Sequence, residues 1–365
     1  MGNVDSGILF KSICLFVLVH VPSCFGVSLV DIADLERSRE KGWNDIGGAY
    51  IIYLLNVDQR MIGKKMLTVF TPAYNRAHTI GRTYESLCRQ TCQDFEWLVI
   101  DDGSSGHTKE LVEGWIKENK IPIRYIYQNN QGMHGAHNTA YRNIHTELNT
   151  CIDSDDYMPD DAVEKIISFW NQYGSDKYAG FIGLDRADSG DIIGTVFPEN
   201  VKETTLLGYY EHGGKGDKKL VYRTDVITKY PEYPIFDGEK YVGLAYKYYL
   251  IDQDYTLLTC NDVFCIVEYQ TDGSSMNMYK QYWRNPKGFV FYRKVRMRLV
   301  SSYKRRFIEC VHYVSSSIIA KNISFIKESP CKWTTLMALP GGILLYCLIR
   351  YKVKRTAYMN IKGLL

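Results

Sequence analysis

Between Leu67 and Gln172 the chain alternates short apolar runs with amphipathic segments four times, and this alternation constrains the fold more than any other feature. LTVFT (67–71), FEWLVID (95–101), IRYIYQ (123–128) and TCID (150–153) read as strands. Ile80, Tyr84 and Leu87 at helical spacing, then Lys109–Asn119, Gly135–His145 and Asp161–Gln172, read as the helices that follow them. Parallel strands need crossovers of this length, so helices returning over both faces of a mostly parallel sheet are the compact solution. Ligands of such sheets bind outside the carboxyl ends of the strands, which directs attention to the residues just after each one.

Those residues are polar or acidic. The first strand runs out into Thr71, Pro72, Ala73, Tyr74 and Asn75, the second into Asp101 and Asp102 of VIDDGSS, and the fourth into CIDSDDYMPDD (151–161). On an extended chain Asp153 and Asp155 project to the same side, with Asp156 beginning the turn. Carboxylates stacked at a strand end repel one another unless a cation neutralises them, and a hard divalent ion, magnesium or manganese, bridging a diphosphate would do so. A solvated acidic turn capping the next helix is the plain alternative.

The segments LTVFTPAYNRA, LCRQTCQDFEWLVIDDGSS, GMHGAHNTA around Asn138 and IDSDDYMPDD together resemble the family 2 glycosyltransferases of the GT-A fold, over roughly Leu67 to Ser275. The resemblance implies a Rossmann-like nucleotide half with a mostly parallel sheet, an acceptor half, and inverting transfer from a nucleotide-sugar, commonly a UDP-sugar. It assigns Thr71, Ala73 and Tyr74, with the adjoining Pro72, Asn75, Asp101 and Asn138, to the nucleotide. Asp102 would contact the base, Asp153 the ribose, and Asp153 with Asp155 the Mn2+ or Mg2+ ion. Relatives often carry a Lys at the position of Met133, so a phosphate contact here would fall to His134 or Arg142. The late Glu-Asp pair of relatives corresponds to PIFDGEKYVG, where Glu239 precedes Lys240; a charged Lys is no base, so Glu239 is expected to take the acceptor proton, with Asp237 second.

The net charge of +3 hides an asymmetry. From Gln281 onward 17 Lys/Arg face only Glu309 and Glu328, a local charge of +15, which leaves −12 for the rest. Such a tail suits an anionic surface. Residues 334–355 hold about 14 apolar positions broken by Pro340, Gly341 and Gly342, about 21 Å as a helix against a bilayer core of about 30 Å, so they are expected to lie in a membrane interface rather than cross it. Nucleic acid is not expected, because the basic residues adjoin an apolar run rather than spaced aromatics. Residues 8–30 are apolar but for Lys11 and His20, with no Arg or Lys in the flank before them and several in the flank after, which would keep the body cytoplasmic; an extension ahead of a working start at Met61 or Met66 is the other reading. GGKGDKK (213–219) reads as a mobile loop, and ten cysteines without metal-site spacing read as free thiols.

The expected organisation is therefore an amino-terminal extension (1–65), a GT-A domain (66–275) and a basic, helical, membrane-associating region (276–365). The expected protein is a glycosyltransferase at the cytoplasmic face of the cell membrane, adding a sugar to a glycan or lipid-linked glycan during polysaccharide synthesis. Two other classes stand beside it. A metal-dependent nucleotidyltransferase would show a glycine- and basic-rich loop where this chain has TPAYNR. A catalytically silent GT-A domain acting as a membrane-bound assembly factor is favoured by Glu239-Lys240 and opposed by Asp102, Asp153 and Asp155.

Overall fold

The computed structural model describes residues 65–268 and 278–362, so the expectations for residues 1–64 lie outside the described residues. Strands β1 (Leu67–Ala73), β2 (Phe95–Asp101), β3 (Ile123–Tyr127) and β4 (Leu148–Cys151) alternate with helices α1 (Ile80–Cys88), α2 (Thr108–Glu118), α3 (Met133–Asn143) and α4 (Ala162–Tyr173). All eight elements fall where the periodicity puts them, although β4 starts and ends two residues earlier than expected. Four further strands, β5 (Tyr178–Ala187), β6 (Glu203–Thr204), β7 (Lys218–Arg223) and β8 (Thr256–Val267), extend the sheet to eight in the order β3-β2-β1-β4-β7-β5-β8-β6. The pairs β1–β2, β1–β4 and β2–β3 are parallel, whereas β7 runs antiparallel to both β4 and β5.

Alternate residues of each inner strand serve opposite cores. Val69, Trp97 and Val99 face α1, α2 and α4, where Tyr84 stacks on Trp115 at 4.3 Å between ring centroids. Phe70, Leu98 and Ile100 join Ala136, Ala140 and Tyr141 of α3 on the other side. Burial on both faces explains why these strands read as continuous apolar runs rather than as alternating ones.

Short helices α5 (Leu206–Glu211), α6 (Thr224–Ile227) and α7 (Ala245–Ile251) flank the later strands. The carboxyl-terminal part is wholly helical: α8 (Met278–Arg284), α9 (Pro286–Leu299), α10 (Tyr303–Ile319), α11 (Phe325–Glu328), α12 (Lys332–Met337) and α13 (Leu339–Lys362). Its interior is a small cluster of Val290, Met297, Cys310, Tyr313 and Ala338. Glu309 is buried between Arg293 and Arg296, each at 2.7 Å. The residues expected to interrupt the tail instead begin its longest helix. Pro340 sits in the first turn of α13, where no N–H is needed, and Gly342 permits close approach to α10, since a Cβ there would lie 2.4 Å from Val314. No described helix is long and apolar enough to cross a membrane.

Candidate active site

Strand order reverses at β1: β2 and β3 lie to one side and β4 to the other. A crevice opens beyond the carboxyl ends at such a point. Ala73 pairs with Asp101 across β1–β2, and Ile152 donates to the Phe70 carbonyl at 3.0 Å, so the ends of β1, β2 and β4 meet there.

The β1 and β2 exits are stitched together. Asn75, at φ +54°, donates its N–H to Ser104 Oγ and accepts from Ser105 N–H; Asp102 N–H donates to the Ala73 carbonyl. Thr71 is wholly buried and its hydroxyl accepts from the Trp97 indole, whereas Tyr74 and Asn75 stand exposed at the rim. Asp101 is interior as well, accepting from Ser104 N–H and from the Tyr125 hydroxyl. Asp102 accepts from Gln128 and from the N–H groups of Gln131 and Gly132. Burial raises its pKa, and those three donors oppose the rise. Asp101 and Asp102 thus fix the loop that leads into α3.

Asp153 and Asp155 do not lie on an extended strand. Because β4 ends at Cys151, they fall in a turn closed by Asp156 N–H to the Asp153 carbonyl, and this turn, not strand pleating, brings the acidic side chains together. Burial raises the pKa of Asp153, and carries that of Asp156 to about 8 with help from the Asp153 charge. Asp155 is only half-buried. Hard carboxylate oxygens of this kind fit Mn2+ or Mg2+, with diphosphate oxygens completing the shell.

Two residues of this cluster were missed in the sequence. Lys219, assigned to a loop, is on β7 and donates to the Cys151 carbonyl at 3.1 Å. Burial opposes its charge, but Asp185, Asp156 and Asp153 outweigh that and hold the ammonium well above the usual lysine range. Asp185, on β5, is 3% exposed, its Oδ1 has no hydrogen-bond partner, and burial lifts its pKa to about 6. The β-favouring apolar run Leu220–Tyr222 that follows it was the signal that Lys219 belonged to a strand.

Several expected residues have other partners. Asn138 spends its amide on the backbone of Tyr233, accepting from the N–H and donating to the carbonyl at 2.9 Å each, and so ties α3 to the acceptor half. Arg142 forms a two-pronged ion pair with Glu232 at 2.6 Å. His134 is buried with neither ring nitrogen paired, and burial depresses its pKa to about 4, so it is neutral and supplies no phosphate charge at pH 7. Gly132 is at φ +84°, and a Cβ there would come within 2.1 Å of the Lys240 carbonyl, so only glycine allows the start of α3 to approach the 239–240 segment this closely.

The structure gives the expected base, Glu239, partners in the helical region. Glu239 is 6% exposed, and its two carboxylate oxygens accept the N–H groups of Lys287 (3.0 Å) and Gly288 (2.9 Å) in the first turn of α9, while Lys240 N–H donates to Asn285 just ahead of that helix. A carboxylate held by two helix-terminal amides acts as a cap for that helix. Asp237, two residues earlier, is exposed.

Residues 68–226 match the family described as Glycosyl transferase family 2. Glycosyltransferase GlyA of Streptococcus pneumoniae is 31% identical over 151 residues, covering 40% of this chain and 22% of the relative. Chondroitin synthase of Escherichia coli is 36% identical over 99 residues, covering 27% and 14% respectively. The chain therefore spans less than a quarter of the length of these curated relatives. Among solved structures, S. aureus TarS 1–349 in complex with UDP-GlcNAc superposes with a TM-score of 0.51 at 16% identity, over 80% of this chain and 92% of that one, a likeness of fold.

Proposed function

Through residues 68–226 the chain belongs to glycosyltransferase family 2, and from that premise we propose that it transfers a sugar from a nucleotide-sugar, with UDP as the leaving group, to a membrane-held glycan at the cytoplasmic face of the cell membrane. What supports the reading most is the turn bearing Asp153 and Asp155 at the carboxyl end of β4, where strand order reverses beside Asp102. Tyr74 and Asn75 form the open rim for the nucleotide, and Asp102 orders its floor.

Asp153 and Asp155 would hold a divalent cation, which when bound supplies positive charge to the diphosphate leaving group. In inverting transfer the acceptor oxygen bonds to the anomeric carbon as the bond to the diphosphate oxygen breaks on the opposite face, and the hydroxyl proton passes to a carboxylate. With Glu239 committed to α9, Asp237 is the carboxylate we assign to that proton. A relative named for chondroitin synthesis fits a polysaccharide acceptor.

The test is thermal and chemical. UDP with Mn2+ should raise the melting temperature of the wild type, since a ligand of the native state stabilises by mass action, and Asp155→Ala should lose that shift. A panel of nucleotide-sugars should then show one donor hydrolysed or transferred, with Asp155→Ala inactive. Undiminished turnover by Asp155→Ala in excess chelator would overturn the metal role, and absence of any UDP effect on the wild type would overturn the donor class.

A further inference from the structure

Helix α13 is apolar on two opposite sides, and only one of them is used. Gly342 and Ile349 turn inward, as does Ala338 just ahead of the helix, with Gly342 seated against Val314 of α10. On the other side Ile343, Leu344, Leu348 and Tyr351, with Met337 at the end of α12, stand open to solvent, Leu344 at 72% and Tyr351 at 58% exposure. Trp333 on the adjoining α12 is 81% exposed. Single exposed apolar residues are ordinary, but a stripe continuing over more than two turns of one helix marks a contact surface.

Charge identifies its occupant. The stripe runs directly into Arg350, Lys354 and Arg355, all exposed. The two acids of the helical region are already spent, Glu309 on Arg293 and Arg296, and Glu328 on Lys294. A second copy would set this cationic end against an identical cationic surface, whereas a bilayer with anionic headgroups offers hydrocarbon to the stripe and opposite charge to its end. Trp333 and Tyr351 carry apolar rings with a polar edge, the residue types that settle at the headgroup level.

We propose that the outer stripe of α13, with Trp333 of α12, docks the protein in the plane of an anionic lipid bilayer. The apolar side chains enter the acyl boundary and the basic carboxyl-terminal end meets lipid phosphates. This gives a physical site to the membrane-held acceptor of the proposed function, and rests on that reading only for its purpose.

Flotation of the full chain with phosphatidylcholine vesicles, with and without phosphatidylglycerol, tests the site without donor or acceptor. The wild type should float with the anionic vesicles. Leu344→Glu with Leu348→Glu, both at exposed positions and so neutral to the melting temperature, should abolish flotation. Arg350→Gln, Lys354→Gln and Arg355→Gln together should weaken binding to anionic vesicles by about 10²-fold at low salt, from about 1 kcal/mol for each charge. The Trp333 emission, isolated by difference from Trp333→Phe, should shift to the blue on adding anionic vesicles. Overturning results are a wild type that does not float, a double-Glu variant that floats undiminished, a Trp333 emission that stays in place, or a dimer dissolved by Leu344→Glu without any vesicle binding. Nucleotide-sugar hydrolysis in vesicle-free buffer reads the catalytic proposal separately, so the two can fail independently.

Discussion

Glu239→Ala and Glu239→Gln separate a cap from a base. The carboxylate accepts the N–H groups of the second and third residues of α9 at 3.0 and 2.9 Å, and it is 6% exposed, so little water is available to replace it. A hydrogen bond to a charged group contributes about 1.5–3 kcal/mol, and an alanine would leave two shielded donors unpaired, so a total cost of about 3 kcal/mol is a conservative expectation. With an unfolding entropy of about 2.1 cal/mol/K per residue over a chain of 365 residues, that corresponds to a fall of about 4 °C in melting temperature. Gln keeps one acceptor oxygen but turns its NH2 toward the other donor, and should lose about half as much. Both variants, assayed well below their melting temperatures, should keep turnover within a few-fold of wild type. Asp237→Asn should show the converse, an unchanged melting temperature and turnover lower by about 10²-fold or more. Thermal unfolding and initial rates on the same preparations decide the matter. An inactive Glu239→Gln with an unshifted melting temperature would refute the cap assignment and return the base to Glu239.

Asp185 should make the protein less stable as pH rises. Its folded pKa of about 6 lies above the ordinary 3.8, so the folded state binds more protons between these values, and the stability it contributes is present below pH of about 4 and lost by about 6. Asp185→Asn should therefore gain on wild type by about 3 kcal/mol between those limits in urea titrations, and parallel pH profiles would sink the reasoning. Glu309→Gln should cost about 3–5 kcal/mol, because Arg293 and Arg296 would be left buried without their carboxylate. Limited trypsin digestion should then open α9 and α10 first, and wild-type resistance would show that the pair is dispensable.

The nucleotide half was legible because its strands are buried on both faces and its helices carry one apolar stripe each, so period and length agree. Positions where two distant segments meet were not. Glu239 followed by Lys240 resembles a catalytic pair until α9 arrives against it, and nothing near Glu239 in sequence announces a helix 48 residues away. Lys219 was hidden by its neighbours: GGKGDKK has the composition of a loop, yet its last two residues open a strand whose register sets one lysine beside the β4 turn. The Pro340-Gly341-Gly342 run looked like a break because the usual cost of such residues was applied to a helix interior. They occupy a helix start and a helix–helix contact, where the same properties help.

The charges around the β4 turn explain why Lys219 is there. Asp153, Asp156 and Asp185 arrive from two strands into a space with little water, and ionising all of them without a counter-charge would be prohibitive, which is why Asp156 and Asp185 hold their protons to about pH 8 and 6. One ammonium in their midst relieves that repulsion within the folded chain. Its reach to the Cys151 carbonyl sets it behind the turn, on the β7 side. Asp153 and Asp155, both half-buried, are the carboxylates of the turn with surface open to the crevice. The arrangement divides the work. Lys219 offsets part of the acidic cluster's charge within the folded chain, and under the proposed function a donor's diphosphate with its cation would meet a site already partly balanced. Binding then rests on the local geometry of Asp153 and Asp155 rather than on relief of a strongly negative pocket.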